Sequence, residues 1–277
     1  SQRVFGVLGD NDLRGLNYVR NSVKAVVDAY NGSVTFYAMD ETDPMLRAYM
    51  KAFPNLFAKG DTMPPTLREH LRYPTDLFEV QTSMWGRYHV EDPTVLLENS
   101  RRWDVARDPG ERPQATTSSA ATGATGLGST SSTRAMDAYY TQAALPGETT
   151  QSFVITRSFT TASTDNSKLV LTGMMFGKSD GADYGKLVVY NVNGNQALAP
   201  SGVMNGISTS TEVSQAITLL NTKGQGSQVL YGDLIAVPVG NSLVHVRSVY
   251  LQPEDQRTAA LIEKVIVSVG GRVVMAD

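Results

Sequence analysis

The stretch that decides the fold is NYVRNSVKAVVDAYNGSVTFYAMD, residues 17–40. Apolar residues recur in its first part at Val19, Val23, Val26, Val27 and Tyr30. That spacing predicts one face of an amphipathic helix. Asn17 is then a suitable N-cap, and Asn31-Gly32 supplies the left-handed residue that ends many helices. Residues 34–39 alternate as in a strand, so we predict a helix, a tight turn and a buried strand.

Prolines introduce the helices that we predict next along the chain. Asp43 before Pro44 has the pattern of an N-cap followed by proline at the first helical position. The expected apolar face of this helix is Leu46, Tyr49, Met50 and Phe53. Three further helical segments open at Pro64-Pro65, at Pro74 and at Asp92-Pro93. These signals predict a compact helical layer after the first strand.

The composition changes abruptly at residues 114–135, QATTSSAATGATGLGSTSSTRA. Small and polar residues dominate this tract, and Leu127 is its only large aliphatic residue. Such a segment cannot bury enough surface to offset the entropy lost on ordering. We therefore predict a flexible loop or linker between a helix-rich region, residues 1–113, and a strand-rich region, residues 136–277.

The strand-rich region carries short apolar runs separated by glycine and asparagine turns. Strands are predicted at Phe153–Phe159, Leu169–Phe176, Leu187–Val192, Val229–Val237, Leu243–Tyr250, Val265–Val269 and Val273–Met275. A helical stripe interrupts them at 211–222, and Gly240-Asn241 predicts a hairpin within 231–250, with Pro238 at an edge or strand end.

These elements predict an α+β fold. An N-terminal helical layer with an early strand packs with a largely antiparallel C-terminal sheet. The strand at 34–39 is expected to join that sheet, so that 1–113 and 136–277 form one composite domain. The alternative is two domains divided at the 114–135 tract.

Composition excludes several classes of function. The chain has no cysteine, which removes disulfides, thiolate nucleophiles and cysteine-ligated metal sites. The formal net charge is −3, and arginines alternate with acidic residues over 98–112, so no basic surface for nucleic acid is expected. No apolar run approaches the roughly 20 residues that span a bilayer. The chain also lacks a G-x-S-x-G elbow and a P-loop.

Long blocks of the sequence resemble a known family. They include residues 17–40, DPMLRAYMKAFP, LREHLRYPTDLFEVQ and RYHVEDP in the first half, and DYGKLVVYNV, EVSQAITLLN, GDLIAVPVGNSLVHVRSVYLQ and KVIVSVGGRVVMA in the second. Together they resemble uncharacterised protein family 0182, large multi-pass bacterial membrane proteins. The resemblance implies that this chain is the soluble, extracytoplasmic C-terminal region of such a protein, held at the cell membrane by transmembrane helices outside this sequence.

Candidate site residues are few. His70, His89 and His245 lack metal-binding spacing and are expected to be surface or hydrogen-bonded residues, although His89 adjoins the acidic Glu91 and Asp92. Asp180 and Asp183 flank glycines in KSDGADYGK and are candidate ligands for calcium or magnesium. Turn and capping roles are commoner for such residues.

Two further groups of residues are candidates for recognition. Arg20, Lys24 and Asp28 line the polar face of the predicted first helix and could dock a partner or an anionic lipid head group. The aromatic residues Trp85, Tyr88, Trp103, Tyr139 and Tyr140 could line a pocket or pack in the core.

Two functional hypotheses follow. The first is a non-enzymatic extracytoplasmic module that binds, senses or assembles in the cell envelope, with an unidentified protein or lipid partner. The second is an envelope hydrolase or a substrate-handling domain of a transporter, which would need titratable groups converging in a pocket. The residues favour the first and leave enzymatic activity open. We expect no cofactor, no nucleic-acid partner and no catalytic residue.

Overall fold

The computed structural model describes residues 18–98, 101–109, 135–162, 170–192, 197–223, 227–240, 242–253 and 259–276. These residues contain six α-helices and twelve strands, arranged in three sheets in which nearly all neighbouring strands are antiparallel. The predicted α+β class is confirmed.

The first described unit is a hairpin followed by a helix and a third strand. Strand β1 (Val23–Val27) pairs antiparallel with β2 (Val34–Ala38). Helix α1 (Pro44–Ala52) then connects β2 to β3 (Phe57–Lys59), which runs parallel to β2.

The helix predicted over the first half of residues 17–40 is wrong, because residues 23–27 form β1. The run VKAVV is rich in β-branched valines, whose restricted side chains suit a strand, and the same valines happen to fit a helical spacing. Pairing decides between the two patterns, since Val27 faces Val34 and Ala25 faces Phe36 across the hairpin. Gly32 does adopt a left-handed conformation, with φ of 72°, but within the hairpin loop. The predicted cap Asn17 lies outside the described residues.

The predicted strand at 34–39 is confirmed, but its expected sheet partner is wrong. It belongs to the three-stranded sheet with β1 and β3. A different strand from the first region, β4 (Trp103–Val105), reaches the second region by pairing with β6. The proposed division into domains stays a prediction.

The proline-led helices are confirmed. The Asp43 carboxylate accepts a hydrogen bond of 3.0 Å from the Met45 amide and caps α1. Of the predicted apolar face of α1, Leu46 is buried whereas Tyr49 and Phe53 are exposed. The remaining helices of this layer are α2 (Pro65–Arg68), α3 (Thr75–Tyr88) and α4 (Pro93–Glu98), with a 3-10 turn at Gly60–Thr62.

A five-stranded sheet occupies the centre of the fold. It consists of β4, β5 (Tyr139–Ala143), β6 (Ser152–Thr161), β7 (Gly173–Lys178) and β8 (Leu187–Asn191). Successive side chains of its inner strands pack on opposite faces of the sheet, because side chains along a strand alternate between the two faces. Ile155 and Met175 pack with Phe78 of α3, whereas Val154 and Phe176 pack in a cluster on the opposite side.

A four-stranded antiparallel sheet completes the fold. Its order is β12-β11-β10-β9, with β9 (Ser227–Val239), β10 (Ser242–Pro253), β11 (Leu261–Val269) and β12 (Arg272–Ala276). The predicted hairpin is confirmed: Val239 faces Ser242 across a turn in which Gly240 has φ of 57°. Pro238 lies in β9 at the sheet edge, as predicted. Helices α5 (Pro200–Thr209) and α6 (Thr211–Lys223) cover one side, where Val203, Val213 and Ile266 are buried together.

The two larger sheets are joined by the Tyr139 side chain. Its hydroxyl donates to the Ala236 carbonyl at 3.0 Å and accepts from the Ala236 amide at 2.9 Å. Both polar groups of this edge-strand residue are thereby satisfied. Burial raises the pKa of Tyr139 to about 12.

Within the described residues, the longest α-helix has 14 residues, and no helix is long and apolar enough to cross a membrane. The 114–135 tract, except for Ala135, lies outside the described residues.

Candidate functional site

An open cleft of about 520 Å³ lies where α3 ends, α4 begins and β4 joins the central sheet. Its lining combines rings, carboxylates, an amide, a hydroxyl and a guanidinium group. The lining residues are His89, Val90, Glu91, Asp92, Val95, Arg101, Trp103, Thr161 and Asn191.

Local sequence signals position the two helix ends beside the cleft. The backbone amide of His89 donates to the Trp85 carbonyl at 3.0 Å and closes the last turn of α3. The Asp92 side chain accepts from the Thr94 amide at 2.8 Å and caps α4, while Pro93 takes the first helical position. The connection between the helices therefore places the polar residues His89, Glu91 and Asp92 together.

Gly86 allows α3 to lie against β4. A Cβ atom at this glycine would stand 2.6 Å from the Trp103 carbonyl oxygen. Gly173 plays a matching part on β7, because a Cβ there would stand 2.8 Å from the Trp103 indole. The absence of side chains at these two glycines leaves space for Trp103 between the helix and the sheet, with its ring at the cleft.

Four rings run from the surface into the core beside the cleft. The ring centroids of Trp85 and His89 are 6.1 Å apart, those of His89 and Trp103 are 4.4 Å apart, and those of Trp103 and Phe159 are 5.6 Å apart. Trp85 is exposed, Trp103 is half-buried and Phe159 is fully buried. Since Phe159 anchors the row, the Trp103 ring offers a fixed apolar platform to the cleft.

The His89 ring has a defined tautomer when it is neutral. Its Nδ1 atom lies 3.0 Å from the Trp85 carbonyl oxygen, which can only accept a hydrogen bond. Nδ1 therefore carries the proton, and Nε2 is the basic nitrogen of the neutral ring.

Charges of both signs surround this platform. Glu91 and Asp92 are exposed carboxylates, and Arg101 is an exposed cation. Thr161 and Asn191 add a hydroxyl and an amide from the sheet. The arrangement can hold a small polar molecule that has one flat, less polar face.

A smaller cavity of about 40 Å³ lies on another side of Trp103. Its lining includes Ser83, Arg102 and Asp104, and the buried Ser83 hydroxyl has no hydrogen-bond partner in the described part of the chain. The volume suits a water molecule or two rather than a larger ligand.

The predicted partner-binding face of Arg20, Lys24 and Asp28 does not exist as a helix face, because this segment leads into and forms a hairpin. Arg20 lies 3.7 Å from the Asp40 carboxylate. Lys24 donates to the Arg72 carbonyl at 3.2 Å, and Asp28 accepts from the Tyr30 amide at 2.8 Å within the loop. Each side chain has a separate contact within the fold.

Asp180 and Asp183, the candidate metal ligands, both lie near the β7–β8 turn and contact different partners. Asp180 accepts from the Phe153 amide at 2.8 Å. Asp183 lies 3.0 Å from the Lys178 ammonium group, which lowers the pKa of this carboxyl. Among the described residues, no group of three or more histidine, aspartate or glutamate side chains is placed to hold a metal ion.

The other predicted residues are dispersed. His70 is exposed. His245 is buried in β10, and its Nε2 has no partner among the described residues, which differs from the surface or hydrogen-bonded role that we expected. Of the five aromatic residues proposed for a pocket, only Trp103 lines the cleft.

Sequence reasoning found His89, Glu91 and Asp92 as a local cluster but missed Thr161, Asn191 and Arg101. Thr161 and Asn191 lie on strands that are distant in sequence. Arg101 lies two residues before β4, which brings Trp103 to the cleft and has only three residues. A three-residue strand carries too little periodicity to be recognised without its partner.

Comparison with known proteins identifies relatives along almost the whole chain. A model of the Uncharacterised protein family (UPF0182) matches residues 2–220. A UPF0182 protein of Pelotomaculum thermopropionicum is 37% identical over 263 residues, covering 94% of this chain and 26% of the relative. A UPF0182 protein of Desulforamulus reducens is 36% identical over 266 residues, covering 95% of this chain and 26% of the relative. The chain thus spans about a quarter of these relatives' length. No solved structure matches it significantly.

Proposed function

We propose a function for this chain as a member of the uncharacterised protein family UPF0182, to which it belongs. The chain is a non-enzymatic binding module on the extracytoplasmic side of a membrane-embedded protein. Its ligand is a small, neutral, hydroxyl-rich ring compound such as a sugar, bound in the cleft at Trp103. The observation that carries the binding role is the convergence of the Trp103 and His89 rings with polar side chains from four segments.

The chemistry of the cleft supports this ligand class. An anchored indole can stack on the less polar face of a ring, and carboxylate, amide and hydroxyl groups can bond to hydroxyls at its edge. The charges of Glu91 and Asp92 are partly offset by Arg101, which favours an uncharged ligand over a strongly ionic one.

Calorimetric titration of the purified chain with neutral monosaccharides and disaccharides tests the binding role. We expect saturable heat, and we expect Trp103→Leu to weaken binding at least about tenfold, which is about 1.4 kcal/mol. Tyr88→Leu is the matched control, because Tyr88 is an exposed ring of α3 outside the cleft. Binding by the Tyr88 variant should equal that of the parent.

A second variant tests the cleft even if Trp103→Leu loses binding only because it fails to fold. Glu91 is exposed, so Glu91→Ala should leave the circular dichroism spectrum and melting temperature unchanged while it weakens binding. Absence of heat with every sugar, or equal affinity in the parent, Trp103→Leu and Glu91→Ala proteins, would refute the assignment.

The extracytoplasmic placement rests on the resemblance to multi-pass membrane proteins described above. Fusions of the complete gene to alkaline phosphatase and to green fluorescent protein at the C-terminal end test it in bacteria. We expect phosphatase activity without fluorescence. Fluorescence without phosphatase activity would place this region in the cytoplasm and contradict the proposal.

The alternative is a hydrolase in which His89 is the general base. The specific observation in its favour is the Nδ1–Trp85 hydrogen bond, which orients the ring and leaves Nε2 as the basic atom. Turnover of a glycoside or ester by the chain, lost in His89→Gln while binding persists, would favour this alternative over the binding module.

A further inference from the structure

Residues 18–63, which we call the N-terminal unit, expose an unusual amount of apolar surface. Of the 20 large hydrophobic residues that are exposed in the described part of the chain, eight lie between residues 18 and 56. On α1 and the turn after it, Met45, Tyr49, Phe53 and Leu56 recur at steps of four, four and three, so they form one exposed stripe along the helix. We call this set the α1 stripe. Tyr49 and Phe53 are each 53% exposed.

The hairpin of the same unit is also incompletely covered. Val27 and Val34 face each other across the end of the hairpin, and both are exposed. Tyr30 in the loop is exposed as well. Single exposed apolar residues are ordinary, but a stripe and a hairpin end in one short unit indicate an interaction surface.

The unit has little core of its own. None of the three buried hydrophobic clusters found among the described residues includes a residue of 18–63. The buried hydrophobic side chains of the unit are only Ala38, Leu46 and Met63. A three-stranded sheet needs a covered hydrophobic face for stability, and these few side chains cover little of the sheet in this unit.

Polar contacts join the unit to the β7–β8 turn and to the segment before α3. The Asn21 side-chain amide donates to the Tyr184 hydroxyl at 3.2 Å, and the Lys24 ammonium group donates to the Arg72 carbonyl at 3.2 Å. Lys24 also lies over the Tyr184 ring, 5.9 Å from its centroid. This junction leaves the α1 stripe and the hairpin end facing solvent.

We propose that the α1 stripe and the hairpin end are the docking surface for the remaining part of the full-length polypeptide. Relatives that match nearly all of this chain are about four times as long, so about three quarters of each relative is polypeptide that this chain does not include. The stripe contains no charged residue, and the charged Arg47 and Lys51 lie on the other side of α1. The docked segment is therefore apolar and uncharged where it meets Tyr49 and Phe53.

Cysteine accessibility tests the proposal directly, because the chain has no cysteine of its own. Tyr49→Cys and Lys51→Cys are placed separately in the 277-residue chain and in the protein encoded by the complete gene, with any other cysteines replaced. In the isolated chain, both cysteines should react rapidly with a maleimide. In the full-length protein, the thiol of the Tyr49→Cys variant should react at least about tenfold more slowly, while the thiol of the Lys51→Cys variant keeps its rate.

The other occupants of this surface give different results. Equal rates at both positions in the full-length protein would overturn the proposal. Slow reaction in the isolated chain that recovers on dilution would indicate a second copy, and slow reaction only with added phosphatidylglycerol vesicles would indicate a lipid surface; either would also overturn it. None of these outcomes depends on a ligand in the cleft. The labelling test can therefore refute the docking surface without bearing on sugar binding, and the sugar titration can refute sugar binding without bearing on the docking surface.

Discussion

Replacing Glu79 by alanine should destabilise this protein more than replacing Asp104, although Asp104 forms the shorter ion pair. The Glu79 carboxylate lies 3.9 Å from the Arg157 guanidinium group, with side chains 12% and 2% exposed. The Asp104 carboxylate lies 2.7 Å from Arg102, but those side chains are 39% and 35% exposed. By distance, the Asp104 pair should contribute more to stability, whereas by burial the Glu79 pair should contribute more. We expect burial to determine which deletion costs more.

The magnitude follows from what each deletion leaves behind. Burial lowers the pKa of Arg157, whereas Glu79 and Asp137 raise it, so the two carboxylates offset part of the cost of burying the guanidinium charge. Glu79→Ala removes one of them and also the acceptor for the Ala138 amide at 3.2 Å. Because Asp137 remains, we expect a cost of about 3 kcal/mol, the lower end of the range for breaking a buried pair. The exposed pair should contribute at most about 1 kcal/mol, since solvent and salt screen it.

Urea unfolding at pH 7, followed by circular dichroism and by tryptophan fluorescence, measures both costs. Glu79→Ala should also lower the melting temperature by about 6–12 °C, and Asp104→Ala by less than about 4 °C. Glu79→Gln separates the charge from the hydrogen bond and should fall between Glu79→Ala and the parent. An Asp104→Ala cost equal to that of Glu79→Ala, or a Glu79→Ala cost below about 1 kcal/mol, would refute the reasoning.

Two further predictions test the packing of α3 and the buried histidine. Gly86→Ala should destabilise the fold by about 1–3 kcal/mol in urea unfolding, because its methyl group meets the Trp103 carbonyl at 2.6 Å. The matched control Gly206→Ala in α5 meets only Val273 at 4.0 Å and should be neutral or stabilising by up to about 1 kcal/mol; equal costs would contradict the argument. Burial lowers the pKa of His245 to about 4, so the unfolded chain gains a proton near pH 6.5 before the folded chain does. The contribution of neutral His245 to the free energy of unfolding should therefore be fully present above pH 6.5 and fall by roughly 3 kcal/mol toward pH 4. His245→Gln should remove this part of the pH dependence of stability. An unchanged pH dependence in the variant would exclude His245 as its source.

Elements with strong local signals were predictable from the sequence. Asp43-Pro44 and Asp92-Pro93 introduce helices whose caps depend on adjacent residues only. The hairpin about Gly240 was equally predictable, because a left-handed residue between two apolar runs defines both the turn and the pairing. Other strands of the second region were predictable in the same way, because their apolar runs are separated by glycine and asparagine turns.

The first stretch and the candidate site were not predictable in this way. Residues 23–27 satisfy a helical and a strand pattern, and only pairing with β2 selects the strand. The cleft combines His89 with Trp103, Thr161 and Asn191, which are far apart in the chain.

The sequence by itself determined the α+β class, the proline-led helices, most strands of the second region and membership of its family. Only the tertiary structure decided which sheet each strand joins, how Trp103 meets His89, and which apolar side chains stay exposed. The physical reason is that caps and turns depend on hydrogen bonds between near neighbours, whereas strand pairing and burial depend on contacts between residues distant in sequence.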